Sequence, residues 1–234
     1  MSNKTTKCLR MLFLTVLFLN VNTLRAQCAY CNSFEDLMDN RWVQVDTIYN
    51  EVRSKNKQFW WGGNDYKFTT GDKETDKILK KDAFAVKRND TLYVNCRNLT
   101  IEKARFGNGY AKAKRMGKHS LLFVNKINGV STQRKAMTAG LVFGVVGSAI
   151  AAKNQIDQQV CYIISSGTKR GGDIRVRLIN DALMDMIVAN DENLKREYYS
   201  EEDREDRHLA SHVIPILEKA GVFSQTKQKE NSTN

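Results

Sequence analysis

The sequence predicts an α+β fold, in which an antiparallel, hairpin-rich sheet precedes a helical C-terminal segment. Residues 82–178 contain short stretches that alternate apolar and polar side chains between turn residues, which is typical of strands. Helical spacing dominates only after Asn180, so strands and helices are segregated along the chain. The hydrophobic fraction of 41% is ordinary for a protein with a packed core. We therefore expect one α+β domain over residues 27–223 and a flexible polar tail over 224–234.

Residues 1–26 predict a secretory signal peptide. Lys4, Lys7 and Arg10 supply a positive start, residues 11–19 form a short apolar core, and Ala26 offers the small residue that signal peptidase requires. The apolar core is shorter than a membrane-spanning helix, which needs about 20 residues. We expect cleavage after Ala26 and export to the periplasm or the outer membrane, with an uncleaved anchor as the alternative.

The first predicted elements of the domain are a short helix and two pairs of strands. Ser33 is a helix cap because Asp36 follows three residues later, which predicts a helix over 33–38. Residues 59–68 predict two short strands around a turn. Residues 82–97 predict a hairpin that turns at 88–90, since apolar residues alternate on both arms.

The remaining elements are four strands and then three helices. The strands are expected at 106–110, 120–125, 159–164 and 174–178. Asn180 should cap the first helix, and Leu194 and Tyr198, which are four residues apart, mark the second. The third is an amphipathic helix over about 203–220, which Pro215 should kink.

An uncharged, glycine-spaced run covers residues 136–152. Gly140, Gly144 and Gly147 fall on one face of a helix, where the missing side chains let another backbone approach closely. Each glycine costs a helix in water about 1 kcal/mol relative to alanine, so this helix needs close packing. We expect it to be buried in the fold; membrane contact, two strands around Gly144 or a self-association interface are the alternatives.

The charge of the chain is positive and unevenly distributed. The formal net charge is +11, yet residues 181–207 hold 10 acidic and 4 basic residues. A basic cluster precedes the apolar run and forms a candidate anion-binding surface: Lys103, Arg105, Lys112, Lys114, Arg115 and Lys118. For an exported protein the expected partner is an anionic envelope component or a membrane surface, such as lipid headgroups or anionic glycans, and not nucleic acid. An ordinary solvated surface is the alternative.

Four cysteines follow the predicted cleavage site: Cys28, Cys31, Cys96 and Cys161. An even number of cysteines in an exported protein predicts disulfides, and four cysteines allow three pairings. Cys28 and Cys31 have the C-x-x-C spacing of redox and zinc sites, but a second such pair is absent from the sequence. We expect structural disulfides or inert thiols, with redox or zinc chemistry as the alternatives.

The sequence does not contain a recognisable catalytic motif. His208 and His212 are four residues apart on a predicted helix, the spacing of a metal-binding pair, but the glutamate of zinc proteases is missing between them. We expect a surface pair on the polar flank of the helix. We therefore predict no catalytic, cofactor or metal site, and keep a redox or hydrolytic enzyme as an alternative.

The order of several motifs resembles that of exported cell-envelope proteins of Bacteroidetes. The motifs are the Ala26–Gln27 junction, the hairpin end at 90–95, the segment at 107–110, and the run at 140–152 before a strand that contains Tyr162. The resemblance implies a periplasmic or outer-membrane-associated location and no particular activity. We expect an exported, non-enzymatic envelope protein that binds a partner or has a structural role; the alternative is a membrane-associated or self-associating protein that uses residues 136–152.

Overall fold

The computed structural model describes residues 28–54, 64–101, 104–126, 159–167 and 173–223. Three predictions lie outside these residues: the signal peptide at 1–26, the glycine-spaced helix with Gly140, Gly144 and Gly147, and the tail at 224–234.

An antiparallel sheet is the centre of the fold. The strands that the structure describes are β1 (Cys28–Cys31), β2 (Val43–Val45), β3 (Tyr49–Val52), β4 (Tyr66–Thr69), β5 (Ala85–Arg88), β6 (Thr91–Asn95), β7 (Thr100–Ile101), β8 (Ala104–Arg105), β9 (Tyr110–Met116), β10 (Ser120–Lys126), β11 (Gln159–Ser166) and β12 (Ile174–Leu178). In the main sheet the order is β12-β11-β10-β9-β6-β5-β1-β2, and β3 and β4 form a side branch. β7 and β8 form a separate two-stranded ribbon. Together with the helices described below, this sheet confirms the α+β, hairpin-rich fold class.

The hairpins follow the sequence pattern with one correction. β5 and β6 form the predicted hairpin, and Asn89 turns it with a φ of 53°. β10, β11 and β12 occupy the predicted positions, but the strand expected at 106–110 lies further along the chain, at β9. Gly107 and Gly109 have φ values of 82° and 101°, so the chain turns there instead of extending.

The first third of the chain differs more from the prediction. The helix expected at 33–38 is α1 (Phe34–Met38), and the Ser33 hydroxyl accepts a hydrogen bond from the Asp36 amide at 3.0 Å. Of the strand pair expected at 59–68, the structure describes β4, whose partner is β3. The sequence pattern did not predict α2 (Lys73–Lys81), which Asp72 caps.

The C-terminal helices cover one end of the sheet. They are α3 (Asp181–Ile187), α4 (Glu192–Tyr199), α5 (Arg204–Arg207) and α6 (Ala210–Lys219). The Asn180 side chain caps α3 as predicted, but the single helix expected over 203–220 is divided into α5 and α6. Leu209 interrupts it because its extended backbone forms a β-bridge with Val160 of β11. No helix among the described residues is long and apolar enough to cross a membrane.

Strand register divides the side chains between two faces of the sheet. One face, here called the helix face, carries Leu122 and Ile163, which pack against the C-terminal helices. At the other end of this face, Tyr93 packs with Leu79 of α2 and Phe68 of β4. The opposite face is covered by α1 and by the segment after β6, which together form a third core cluster.

The sheet divides along β9. β10 pairs with residues Ala113–Met116 of β9. Beyond these residues β10 no longer pairs with β9, but it stays paired with β11 up to the pair Lys126↔Gln159. β4 takes the vacated place beside β9 through the pair Tyr66↔Tyr110. The backbones of Tyr66 and Gly109 approach so closely that a Cβ atom on Gly109 would lie 2.9 Å from the Tyr66 carbonyl oxygen. The helix face therefore has two separate covers with a gap between them.

Candidate functional site

A groove of about 1050 Å³ occupies the gap on the helix face. Lys112 and Lys114 of β9 form its floor together with Leu122 and Val124 of β10. The alternation of β9 explains the arrangement, because Ala111 and Ala113 point to the opposite face and are buried there, which leaves the lysines on the helix face. The floor of the groove therefore combines two cations with two aliphatic side chains.

The two walls of the groove differ in character. One wall is apolar and comes from α6 and the residues after it, with Ile214, Pro215 and Phe223. The other wall contains Asp65 and Tyr66, at the start of β4. The Gln159 side chain donates a hydrogen bond to Asp65 at 3.3 Å, which connects β11 with the β4 wall.

The two floor lysines have different electrostatic partners. The Lys114 ammonium lies 2.7 Å from a Glu218 carboxylate oxygen and 5.0 Å from the centre of the Phe223 ring. The Lys112 ammonium lies 5.8 Å from the centre of the Tyr66 ring. Among the described residues, no carboxylate lies within ion-pair distance of Lys112. Lys112 thus leaves a positive charge in the groove that is not paired with any carboxylate in the part of the chain that the structure describes.

The groove continues past the tip of the β5–β6 hairpin to the opposite face, where Trp42, Lys87 and Arg115 line it. Arg115 donates hydrogen bonds to the Leu37 carbonyl oxygen and, at 2.8 Å, to the Asn40 side-chain oxygen. Burial lowers the pKa of Arg115 below its ordinary value. The Arg115 guanidinium is therefore already hydrogen-bonded to the end of α1 and the residues after it. Its role is structural, because these bonds hold α1 against β9.

The structure brings together only part of the predicted anion-binding surface. Lys112, Lys114 and Arg115 line the groove. Arg105 on β8 and Lys118 in the β9–β10 turn are exposed and do not line it, and Lys103 lies outside the described residues. The six residues were grouped because they are close in the sequence. Only the three that lie on β9 also line one groove in the structure.

A second polar cluster, which the sequence did not predict, is centred on Asp181. The Asp181 carboxylate accepts a hydrogen bond from the Tyr198 hydroxyl at 2.9 Å and lies 2.9 Å from His208 Nε2. Its oxygens also lie 3.2 Å from Arg204 Nε and 3.3 Å from Arg207 Nε. Burial alone would raise the pKa of Asp181, but the His208 and Tyr198 hydrogen bonds and the nearby charges outweigh burial and hold it below the ordinary value. This arrangement connects α3, α4 and α5.

The two histidines therefore differ from the surface pair that the sequence predicted. His208 contacts Asp181, whereas His212 Nε2 lies 2.9 Å from the backbone carbonyl oxygen of Tyr198. The side chain of His208 is only 16% exposed. Within the described ranges, no group of three or more His, Cys, Asp and Glu side chains could hold a metal ion.

The cysteines are free and buried in the structure: Cys28, Cys31, Cys96 and Cys161. The C-x-x-C motif lies in β1, where residues three apart point to opposite faces and have Cα atoms about 10 Å apart. This separation exceeds the span of a disulfide, so the geometry contradicts a redox pair or a bridge between Cys28 and Cys31. Burial raises the pKa of Cys31 and of Cys161 to about 12, which favours the unreactive thiol form.

The fold and the groove together define an α+β domain with an open, basic and partly apolar groove on an antiparallel sheet. The model of a family of unknown function (DUF6563) matches residues 29–223, and the chain belongs to this family. The matched range contains both the groove and the Asp181 cluster. Neither a curated protein nor a solved structure matches the chain.

Proposed function

We propose that the protein is a non-enzymatic binding protein whose groove takes an anionic, partly apolar ligand. The observation that carries this proposal is the floor of the groove, where Lys112 lacks a carboxylate partner among the described residues and Leu122 and Val124 supply aliphatic side chains to the same floor. An anion bound there gains a charge interaction with exposed lysines, so its binding should weaken as the salt concentration rises.

The form of the groove supports a ligand with two chemical parts. An ammonium group is a compact charge that suits phosphate or carboxylate oxygens, whereas Ile214, Pro215 and Phe223 offer apolar surface to the rest of the ligand. Anionic lipid headgroups with adjoining acyl carbons have this composition. The groove is open along its length, so a ligand that remains attached to a surface can still enter it.

We propose in addition that the protein is exported and acts at the cell envelope. The support is the predicted signal peptide at 1–26 and the resemblance to exported envelope proteins of Bacteroidetes. An envelope protein meets anionic lipid headgroups continually, which agrees with the charge of the groove. The glycine-spaced helix over 136–152 remains a prediction, and membrane contact or self-association through it is the alternative.

Vesicle binding of the paired variant Lys112→Gln/Lys114→Gln tests the proposal. Phosphatidylcholine vesicles with and without phosphatidylglycerol are sedimented with the protein at low and at physiological salt. Each lysine near an anionic surface contributes about 1 kcal/mol, so we expect the variant to bind anionic vesicles about 30-fold more weakly. Binding of the unaltered protein should also weaken with salt.

The matched control is Lys80→Gln/Lys81→Gln, because these exposed lysines at the end of α2 give the same change in charge outside the groove. This control should bind like the unaltered protein. Equal losses in both variants would show that net charge, and not the groove, determines binding. Unchanged binding of the groove variant would refute the proposal, provided that its circular dichroism spectrum matches that of the unaltered chain.

A further inference from the structure

A second cavity, of about 470 Å³, lies on the helix face near the β9–β10 turn and away from the groove. Its walls are largely apolar and come from three parts of the fold: Met116, Ile163, Leu183, Ile187 and Val222. Arg177 of β12 is the cation in the cavity lining. The volume is within the range of small-molecule sites, which is about 300–1,000 Å³.

The position of Arg177 follows from strand register. Arg177 pairs with Ile163, so both side chains point to the helix face, towards Leu183 and Ile187 of α3. An edge strand of a sheet usually exposes such a long charged side chain to water. Here Arg177 is half-buried, and Leu183 and Ile187 of α3 line the same cavity.

Arg177 lacks a partner for its Nε atom among the residues that the structure describes. This atom is buried and forms no hydrogen bond to any of them. Among the described parts of the chain, no carboxylate lies within ion-pair distance of its guanidinium. Arg207 Nε likewise forms no hydrogen bond, but it has an ion-pair partner, since it lies 3.3 Å from the Asp181 carboxylate. A buried donor without an acceptor is unfavourable, so the site is ready for an external acceptor.

We propose that this cavity binds a small amphipathic carboxylate, with the carboxylate on Arg177 and the aliphatic part against Ile163, Leu183 and Ile187. A guanidinium presents two parallel donors, which match the two oxygens of a carboxylate. The single cation in the lining balances one negative charge, whereas a phosphate dianion would leave excess charge among apolar walls. This proposal uses other residues than the groove and does not depend on the proposed function.

Calorimetric titration of the full chain with octanoate tests the proposal. We expect saturable binding, and weaker binding of acetate, which lacks the chain, and of octanol, which lacks the charge. Arg177→Gln should lower the affinity for octanoate about 10- to 100-fold, because it removes a charge-assisted, two-point contact. Arg177→Lys should recover only part of the affinity, since it restores the charge without the paired donors.

Two controls keep the result specific to this cavity. Arg175→Gln removes an exposed arginine from the same strand and the same face, and it should leave octanoate affinity unchanged. The groove variant Lys112→Gln/Lys114→Gln should also bind octanoate normally, so the two sites are tested independently. Loss of octanoate binding in either control would overturn the assignment of the site.

Stability measurements separate a lost site from a damaged fold. Arg177→Met removes the unpaired buried donor and should melt at the same or a higher temperature than the unaltered protein, yet fail to bind octanoate. Absence of octanoate binding by the unaltered chain would refute the proposal. Inorganic phosphate that binds as tightly as octanoate, and is lost with Arg177→Gln, would refute the amphipathic carboxylate as the occupant.

Discussion

Replacing Asp181 with asparagine should destabilise the protein by about 2–3 kcal/mol at neutral pH. The variant keeps the size of the side chain but removes the charge that receives the contacts of Tyr198 and His208, both at 2.9 Å. A hydrogen bond to a charged group stabilises by about 1 kcal/mol more than a neutral one, which gives about 2 kcal/mol for the two contacts. The charge at the first residue of α3 adds about 0.5 kcal/mol through the helix dipole. The 72% exposed side chain of Arg204 adds little.

The effect should depend on pH with a definite sign. The contacts hold the pKa of Asp181 in the folded protein below its ordinary value of about 3.9. The stabilisation is therefore fully present above about pH 5 and is lost as the pH falls through the folded-state pKa. The difference in the free energy of unfolding between the unaltered chain and Asp181→Asn should shrink steadily below about pH 4.

Urea unfolding, followed by circular dichroism at neutral and at acid pH, measures both effects. The control is Asp185→Asn on the same helix, whose carboxylate accepts one hydrogen bond from the exposed Tyr199 hydroxyl at 2.9 Å. It should change the free energy of unfolding by less than about 0.5 kcal/mol. Equal effects of the two variants, or a difference that does not depend on pH, would refute our account of the Asp181 cluster.

Two further predictions concern the backbone and the thiols. Gly109→Ala should destabilise the protein by about 2–3 kcal/mol in thermal unfolding, because the alanine Cβ would lie 2.9 Å from a backbone oxygen. The control is Gly71→Ala, since Gly71 also has a positive φ but has open space around it. This control should destabilise the protein by only about 1 kcal/mol. Cys31 and Cys161, with pKa values raised by burial to about 12, should react with a thiol reagent at pH 8 only after unfolding, and rapid reaction in the native state would contradict their burial.

The strands β4, β5, β6, β10, β11 and β12 could be predicted from the sequence because their signals are local, whereas β1, β2, β3, β7 and β8 were not predicted. Apolar and polar residues alternate on both sides of Asn89, which was enough to predict the β5–β6 hairpin. The capping residues Ser33 and Asn180 were enough to predict where α1 and α3 begin. α2 was missed although Asp72 is an equally good cap, because only Ile78 and Leu79 are apolar in its nine residues. Two adjacent apolar residues do not form a repeat that can be recognised along the sequence, although they give the helix one apolar face.

The errors have in common that tertiary contacts override local preference. The pattern over 203–220 is continuous, but the bridge of Leu209 to Val160 divides the helix, and no local feature of the sequence indicates this contact. The groove could be predicted only in part, since three of its cations lie close together on β9 but its apolar wall comes from α6, about a hundred residues later. The Asp181 cluster joins residues from three helices, and helix packing cannot be obtained from spacing.

The pair Lys126↔Gln159 ends the β10–β11 ladder on the side where the two strands are joined along the chain. The strands are adjacent and antiparallel, so their joined ends lie opposite each other. A turn of a few residues is enough to join two such strands, so the register of this ladder does not require a connection of any particular length.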